Sequence, residues 1–285
     1  MTYASKWGFW QRAKYLFVKL PSFKTPPLDE VVCGLRYAPL EQLKVPHIGL
    51  LWKLFRNEYP VVQHVPPISS DTMIVVDEAS GAPLPRVWFI NTTDDQLIQF
   101  QVDRTYFNWR RRQAEYPRYS HIIGEFERYF STLEQFIKEN SLGGIQPVEF
   151  ELTYINHIPK GEGWEEVSNL SGLFNDLNWQ GASHKFLPEP TNATWQLRFQ
   201  LPENNGWLTI KMRQAIRKSD SQPILVLELS AKGLGQDTSK EGMRLWYDLA
   251  RQWIVRGFED ITSPSAQKTF WKKENVQRRA SKRIR

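Results

Sequence analysis

A chain of 285 residues with 41% apolar and 24% charged residues has the composition of a soluble globular protein and the length of about two domains. Twelve tryptophans and sixteen phenylalanines can fill a sizeable core, and a single cysteine, Cys33, excludes an intrachain disulfide. The net charge of +6 sits at the ends: residues 1–24 carry five cations and no acid, residues 268–285 carry eight cations against Glu274, and the middle, 25–267, is left at −6, so a basic pI does not make the body a nucleic-acid-binding fold.

In chain order, the first 20 residues are aromatic and basic. Trp10, Ala13, Phe17 and Leu20 recur at helical spacing, with Arg12 and Lys19 off that stripe. The expectation is a helix that packs on its own protein or a partner; contact of residues 1–20 with a membrane surface is the alternative. The proline-rich stretch around 21–27 then reads as a linker. E-V-V-C-G-L-R-Y reads as a strand and V-P-H-I-G-L-L-W-K-L-F as a helix stopped by Pro60. A proline-containing loop is expected next, then a short strand T-M-I-V-V-D-E. R-V-W-F-I-N, Q-L-I-Q-F-Q-V and R-T-Y-F-N-W-R follow as an antiparallel meander, turned at Thr92–Asp95. Ser120 is the expected N-cap of a long helix carrying Ile122, Phe126, Tyr129, Phe130, Leu133, Phe136 and Ile137, with Gly143-Gly144 as its stop.

The order then repeats. P-V-E-F-E-L-T-Y-I-N-H-I is a strand, and a shorter helix is expected around W-E-E-V-S-N-L-S-G-L-F. T-W-Q-L-R-F-Q-L, W-L-T-I-K-M-R-Q and P-I-L-V-L-E-L-S-A are strands. A helix over about 239–260 would bury Leu245, Trp246, Leu249, Trp253, Ile254 and Phe258. Thr262-Ser263-Pro264 starts a last helix, expected to run through F-W-K-K-E-N-V-Q-R-R. The reading is α+β: two tandem units of strand, helix, three or four antiparallel strands and helix, the sheet covered on one face by long helices. The divisions are an extension and linker at 1–26, units at 27–145 and 146–262, and a helix with a basic tail at 263–285.

Strand parity sorts the arginine- and aromatic-rich stretch 104–119. Ile98, Phe100, Phe107 and Trp109 share one face, assigned to the core beneath the helices. Gln99, Gln101, Tyr106, Asn108 and Arg110 share the other, expected to face solvent as a polar binding surface. Gln196, Arg198, Gln200, Lys211 and Arg213 stand in the same sense in the second half. Tyr116, Arg118 and Tyr119 in the following turn, and Asn156 and His157 near a strand end, complete the candidate binding residues.

The sequence offers no catalytic motif. It has no Cys-rich zinc site, no P-loop order, no nucleophile elbow and no His pair at ligand spacing. Cys33 lies in a strand and reads as a buried small residue. An acid–base site built on His157 with Glu151, Asp71, Asp77 or Glu78 is the weakest reading. No metal and no cofactor is expected. The lack of a membrane-length apolar run and of a signal peptide's apolar core and cleavage site points to the cytoplasm.

The strings E-V-V-C-G-L-R-Y-A-P-L, P-H-I-G-L-L-W, L-I-Q-F-Q-V-D-R-T-Y-F-N-W-R, Y-P-R-Y, E-L-T-Y-I-N-H-I-P and W-I-V-R-G-F-E-D-I-T-S together resemble a family of sporadically distributed, functionally unassigned bacterial proteins. The resemblance spans roughly 28–272 and carries no reaction, cofactor or site residue with it. Sporadic occurrence points to the mobile or defence-associated gene pool. The functional expectation is a non-catalytic binding or regulatory protein with a protein partner. Two alternatives stand beside it: a nucleic-acid-binding protein using Lys272, Lys273, Arg278, Arg279, Lys282, Arg283 and Arg285, and a hydrolase or transferase.

Overall fold

A computed structural model of the protein describes residues 19–68, 76, 81, 84–113, 115–177, 179 and 186–274. Nine strands form one antiparallel sheet: β1 (Leu28–Tyr37), β2 (Val61–Val65), β3 (Arg86–Ile90), β4 (Gln96–Gln101), β5 (Arg104–Arg110), β6 (Pro147–Pro159), β7 (Thr194–Gln200), β8 (Trp207–Ile216) and β9 (Pro223–Gly233). Their spatial order is β2-β3-β4-β5-β1-β6-β9-β8-β7, so the sheet is open, with β2 and β7 at its edges. Among the described residues the helices are α1 (Val45–Phe55), α2 (Tyr119–Glu139), α3 (Lys240–Ile261) and α4 (Pro264–Thr269). None is long and apolar enough to cross a membrane.

The period-2 pattern of the strands explains which face carries the core. On β1, Val31, Cys33 and Leu35 are buried; Phe107 lies opposite Cys33 on β5, and Leu152 opposite it on β6. Ile98 and Phe100 on β4 and Phe107 and Trp109 on β5 are buried on that same face, as parity predicts. The 3–4 residue spacing of α2 brings Ile122, Ile123, Phe126, Tyr129, Phe130, Leu133, Phe136 and Ile137 down onto it. α3 contributes Met243, Trp246, Tyr247, Ala250, Ile254, Phe258 and Ile261.

The two long helices interlock over the middle of the sheet. The Tyr247 ring meets Phe126 of α2 at 5.4 Å and Phe150 of β6 at 5.9 Å, and its hydroxyl donates to the Gly34 carbonyl at 2.6 Å. Gly34 itself must lack a side chain: a Cβ there would stand 2.2 Å from the Thr105 carbonyl oxygen and 2.5 Å from the Tyr106 ring.

Several local expectations need correction. Residues 61–65, read as loop, form β2: they pair with β3, and the prolines that suggested a loop flank the strand rather than interrupt it. Residues 164–174 hold turns instead of a helix, with Trp164, Val167, Leu170, Leu173 and Phe174 buried irregularly. α2 starts at Tyr119 with Arg118 in the cap position, so Ser120 does not cap it, and it ends at Glu139 with Asn140 as its C-cap, ahead of the glycines. Leu245 is 70% exposed; α3 turns Met243 and Tyr247 inward in its place. Ser263 caps α4 as expected, accepting from Ala266 N–H, but the helix stops at Thr269 and the chain extends to pair with residues 22–25. The expected strand at 72–78 and the helix at 1–20 fall almost wholly outside the described residues.

Trp109 is 1% exposed, whereas Arg110 is only partly buried and pairs with Asp94 at a loop. Trp109→Ala is expected to cost about 3–5 kcal/mol, the usual penalty for truncating a buried tryptophan, and Arg110→Ala about 1 kcal/mol or less, as for an outer ion pair. Paired urea melts read both; equal midpoints would contradict the face assignment.

Candidate functional site

The sequence-derived residues divide between two places. Gln99, Gln101, Tyr106, Asn108 and Arg110 lie on the sheet face opposite the helices, where the register sets Gln99 beside Tyr106, Leu97 beside Asn108 and Gln101 beside Arg104. That face is not open here. Gln99, Gln101, Arg104, Tyr106 and Asn108 are all buried, Asn108 to 2% exposure.

Hydrogen bonding accounts for the burial. Trp88 Nε1 donates to Gln99 Oε1 at 3.2 Å, Gln99 Nε2 to Asn108 Oδ1 at 2.7 Å, and Asn108 Nδ2 to Glu30 Oε1 at 2.5 Å. Arg86 also donates to Gln99. Gln101 exchanges two bonds with the Ile68 backbone, at 3.0 and 3.1 Å, so the chain after β2 comes over this face. Arg104 closes on Asp103 at 2.8 Å. Each amide spends its donors and acceptor on a neighbour, which is what allows it to leave water. The expectation of a solvent-facing polar surface on β4 and β5 is therefore corrected: these side chains hold the sheet and its covering segment together. On β7 and β8 the same face is more open, and Arg198 lies 4.3 Å from the Trp207 ring centroid.

Glu30 ends the amide chain. Burial pushes its carboxyl above the ordinary value of 4.5, against the opposing pull of Asn108 and Arg110. His157 also lies on this face, its Nδ1 3.3 Å from Asp29 Oδ1. Glu151 stands six residues earlier on the same strand, tied to Lys232 at 2.9 Å and to Thr153. Six strand residues span about 20 Å, so His157 and Glu151 cannot act on one reacting bond. Asp71, Asp77 and Glu78 lie outside the described residues. Among the described residues no cluster of His, Cys, Asp or Glu is placed to hold a metal ion. The Cys33 thiol is fully buried, and desolvation pushes its pKa well up.

The other group converges on a cleft of about 410 Å³ on the helix side. β6 directs Tyr154 and Asn156 into it; the turn before α2 supplies Tyr116 and Arg118, and the first residue of α2 supplies Tyr119; α3 supplies Arg251, Ile254 and Phe258; and residues 19–28 form its rim. Asn156 and His157, neighbours in sequence, thus serve opposite faces, as strand alternation requires. Asn156 is fixed by donation to Leu227 O at 3.0 Å. The Tyr116 and Tyr154 hydroxyls stand 3.3 Å apart, and Tyr119 donates to Asp248 Oδ1 at 2.9 Å. The Arg251 guanidinium lies 4.6 Å from the Tyr119 ring centroid. Arg118 adopts φ 74°, ψ 154°, backbone nearly reserved for glycine, immediately after Pro117.

Among the described residues, the charges lining this cleft have one sign. Lys19, Arg118 and Arg251 line it without a carboxylate, and among the described residues neither Arg118 nor Arg251 has an ion-pair partner. Desolvation raises all three phenols, so Tyr116, Tyr119 and Tyr154 stay protonated and act as hydrogen-bonding groups. Sequence reasoning missed Arg251 and the 19–28 rim. The readable signal for Arg251 was a cation one turn beyond Tyr247 and three residues before Ile254, on a face otherwise apolar. Of the basic tail, Lys272 and Lys273 are exposed and Lys273 pairs with Glu259 at 2.6 Å; Arg278, Arg279, Lys282, Arg283 and Arg285 lie outside the described residues.

No family model matches the chain, and no curated protein is similar to it above chance. Among solved structures, the crystal structure of DynU16, a protein of the dynemicin biosynthetic locus, is 8% identical, covering 81% of this chain and 98% of that one with a TM-score of 0.26. A TM-score that low carries neither fold nor activity across.

Glu30→Gln tests the amide chain, because the glutamine keeps an acceptor for Asn108 without the charge. A carboxyl raised on folding favours the folded state when protonated, so its stabilising effect is lost as pH rises through the folded value. The variant should therefore melt above the wild type at pH 7, with the gap closing as pH falls through the folded value towards 4.5 and gone below it, where both forms are neutral. Thermal melts across that window check it; a gap independent of pH would contradict the assignment.

Proposed function

We propose that this is a non-catalytic binding or regulatory protein of the cytoplasm that acts through a protein partner, and that the partner places an acidic segment in the Tyr116–Arg251 cleft. The observation carrying this reading is the convergence of Lys19, Arg118 and Arg251 on one lining without a carboxylate among them. Protonated phenols and the held amide of Asn156 add directional hydrogen bonds, and Leu229, Ile254 and Phe258 add apolar surface. Such a set recognises a carboxylate carried on an apolar or aromatic stem. The sealed Cys33 thiol suits a reducing compartment. An association with mobile or defence genes belongs to the same proposal.

The two-unit organisation is also part of this reading. What supports it is strand order: the last strand of each half, β5 or β9, flanks the first, β1 or β6, and the halves meet at β1–β6. On that view the cleft lies where the helix closing one unit meets the helix and strands of the other.

A displayed library of random hexapeptides tests the cleft. Enriched sequences should carry Asp, Glu or a free C-terminal carboxylate. Binding should fall about 10- to 100-fold for Arg118→Ala with Arg251→Ala, the usual loss on removing a charge from a desolvated contact, and should be unchanged for Lys53→Ala on α1. Enrichment of basic peptides, or equal binding by the double variant, would overturn the proposal.

A further inference from the structure

The two edge strands of the open sheet are built differently. β2 has five residues, with Pro60 before it and Pro66 and Pro67 after it, so prolines bound the length along which another strand could pair. β7 has seven residues, with no proline, no lysine and no bulge in its pairing with β8. Among the described residues the outer side of its backbone bonds to no other segment: β8 is its one neighbour in the sheet, and the isolated bridges lie elsewhere, at Phe23–Lys273 and Phe174–Thr262. An unpaired edge of that length is a template for one more strand.

Parity puts Trp195, Leu197 and Phe199 of β7 on the face that carries the helices, because they stand opposite Met212, Ile210 and Leu208 of β8, all buried. α3 lies over β6, β8 and β9. The apolar stripe on β7 is left half-covered, with Phe199 39% exposed. On the other face Thr194, Gln196, Arg198 and Gln200 are all exposed. The Arg198 guanidinium leans back over Trp207 of β8, so it does not guard the open edge.

We infer that the partner of this edge is a second copy of itself, two chains joining β7 to β7 across a two-fold axis through Leu197. That register pairs all seven residues of each strand. On the helix side it sets Leu197 against its own copy and each Trp195 against the other chain's Phe199, so apolar meets apolar throughout. On the far side each Gln196 stands opposite an Arg198, an amide oxygen that can accept from a guanidinium, and each Thr194 opposite a Gln200. An axis through Arg198 would face two guanidiniums across the junction, and one through Gln196 would leave Phe199 without a strand partner. The axis stands perpendicular to the sheet and keeps both helix layers on one side. Assembly closes at two chains, because the edge remaining at each end is the proline-bounded β2. No residue of β7 lines the cleft, so the junction leaves it free.

Sedimentation velocity of the full chain over a concentration series tests it. One added strand pair is a small interface, so the mass should rise from one chain towards two with a dissociation constant of roughly 1–100 μM. Leu197→Lys puts two ammonium groups at the axis and should weaken association about tenfold or more. Gln196→Glu gives each Arg198 a carboxylate and should tighten it about fivefold, while Gln196→Lys should weaken it by about the same factor. Gln196 is exposed, so these two variants decide the matter if Leu197→Lys melts early. Val62→Lys, on β2, should leave the mass curve unchanged. Dissociation by Val62→Lys, or a shift in the same direction for both Gln196 variants, would overturn the inference. So would a single-chain mass at every concentration, which would leave the edge to an extended segment of a different protein.

Discussion

The hydrogen bond from Tyr247 to the Gly34 carbonyl is the joint on which the architecture turns. It lies at the centre of the sheet, where β1 is flanked by β5 and β6 and Gly34 is buried. Glycine is required because a Cβ at position 34 would strike the Thr105 carbonyl oxygen and Tyr106 on the neighbouring strand. Phe126 and Phe150 then hold the Tyr247 ring, so α2, α3, β1 and β6 share one contact. The positions of the helices over the sheet follow from that joint, and the cleft follows from the helices: it is the space left where the turn into α2, the middle of α3 and the far end of β6 diverge.

The opposite face uses different physics. A polar side chain can leave water when its donors and acceptors are matched, and Trp88, Gln99, Asn108 and Glu30 form such a run across four strands. The run is directional, since Asn108 must give its amide hydrogens to Glu30 and take one from Gln99. A one-residue slip of β5 would leave several of these groups unpaired. Burial there acts on register rather than on recognition.

Much of the fold was legible because it rests on local periodicity. The 3–4 spacing from Ile122 to Ile137 and the alternation from Val148 to Tyr154 define their elements without tertiary information, and the parity that buries Phe107 and Trp109 is intrinsic to a strand. Parity alone says which residues share a face, not whether another segment covers it. That depended on the chain near Ile68 bonding to Gln101, a contact of residues 33 apart with no sequence signature. Residues 61–65 failed for a related reason: an edge strand exposed along most of its length carries little hydrophobic signal. Residues 164–174 are apolar enough for a helix but are held by tertiary contacts, such as Trp164 Nε1 donating to Ile158 O. At the cleft, Tyr116, Arg118, Tyr119 and Asn156 stood out individually by residue type, whereas their meeting with Arg251 and the 19–28 rim depends on how α3 crosses the sheet.

The antiparallel ladder between residues 22–25 and 271–274 also sets how the protein responds to load. Both chain ends leave it on the same side, so tension applied through them strains the Glu274–Ser22 bond first and the others in turn, as a zipper opens, rather than shearing all at once. Unzipping detaches Phe23 from Phe258 and frees the rim residues that border the cleft, ahead of any strain on the central Tyr247 joint. Tugging on the molecule by its ends would thus unlatch the mouth of the cleft long before it disturbed the sheet.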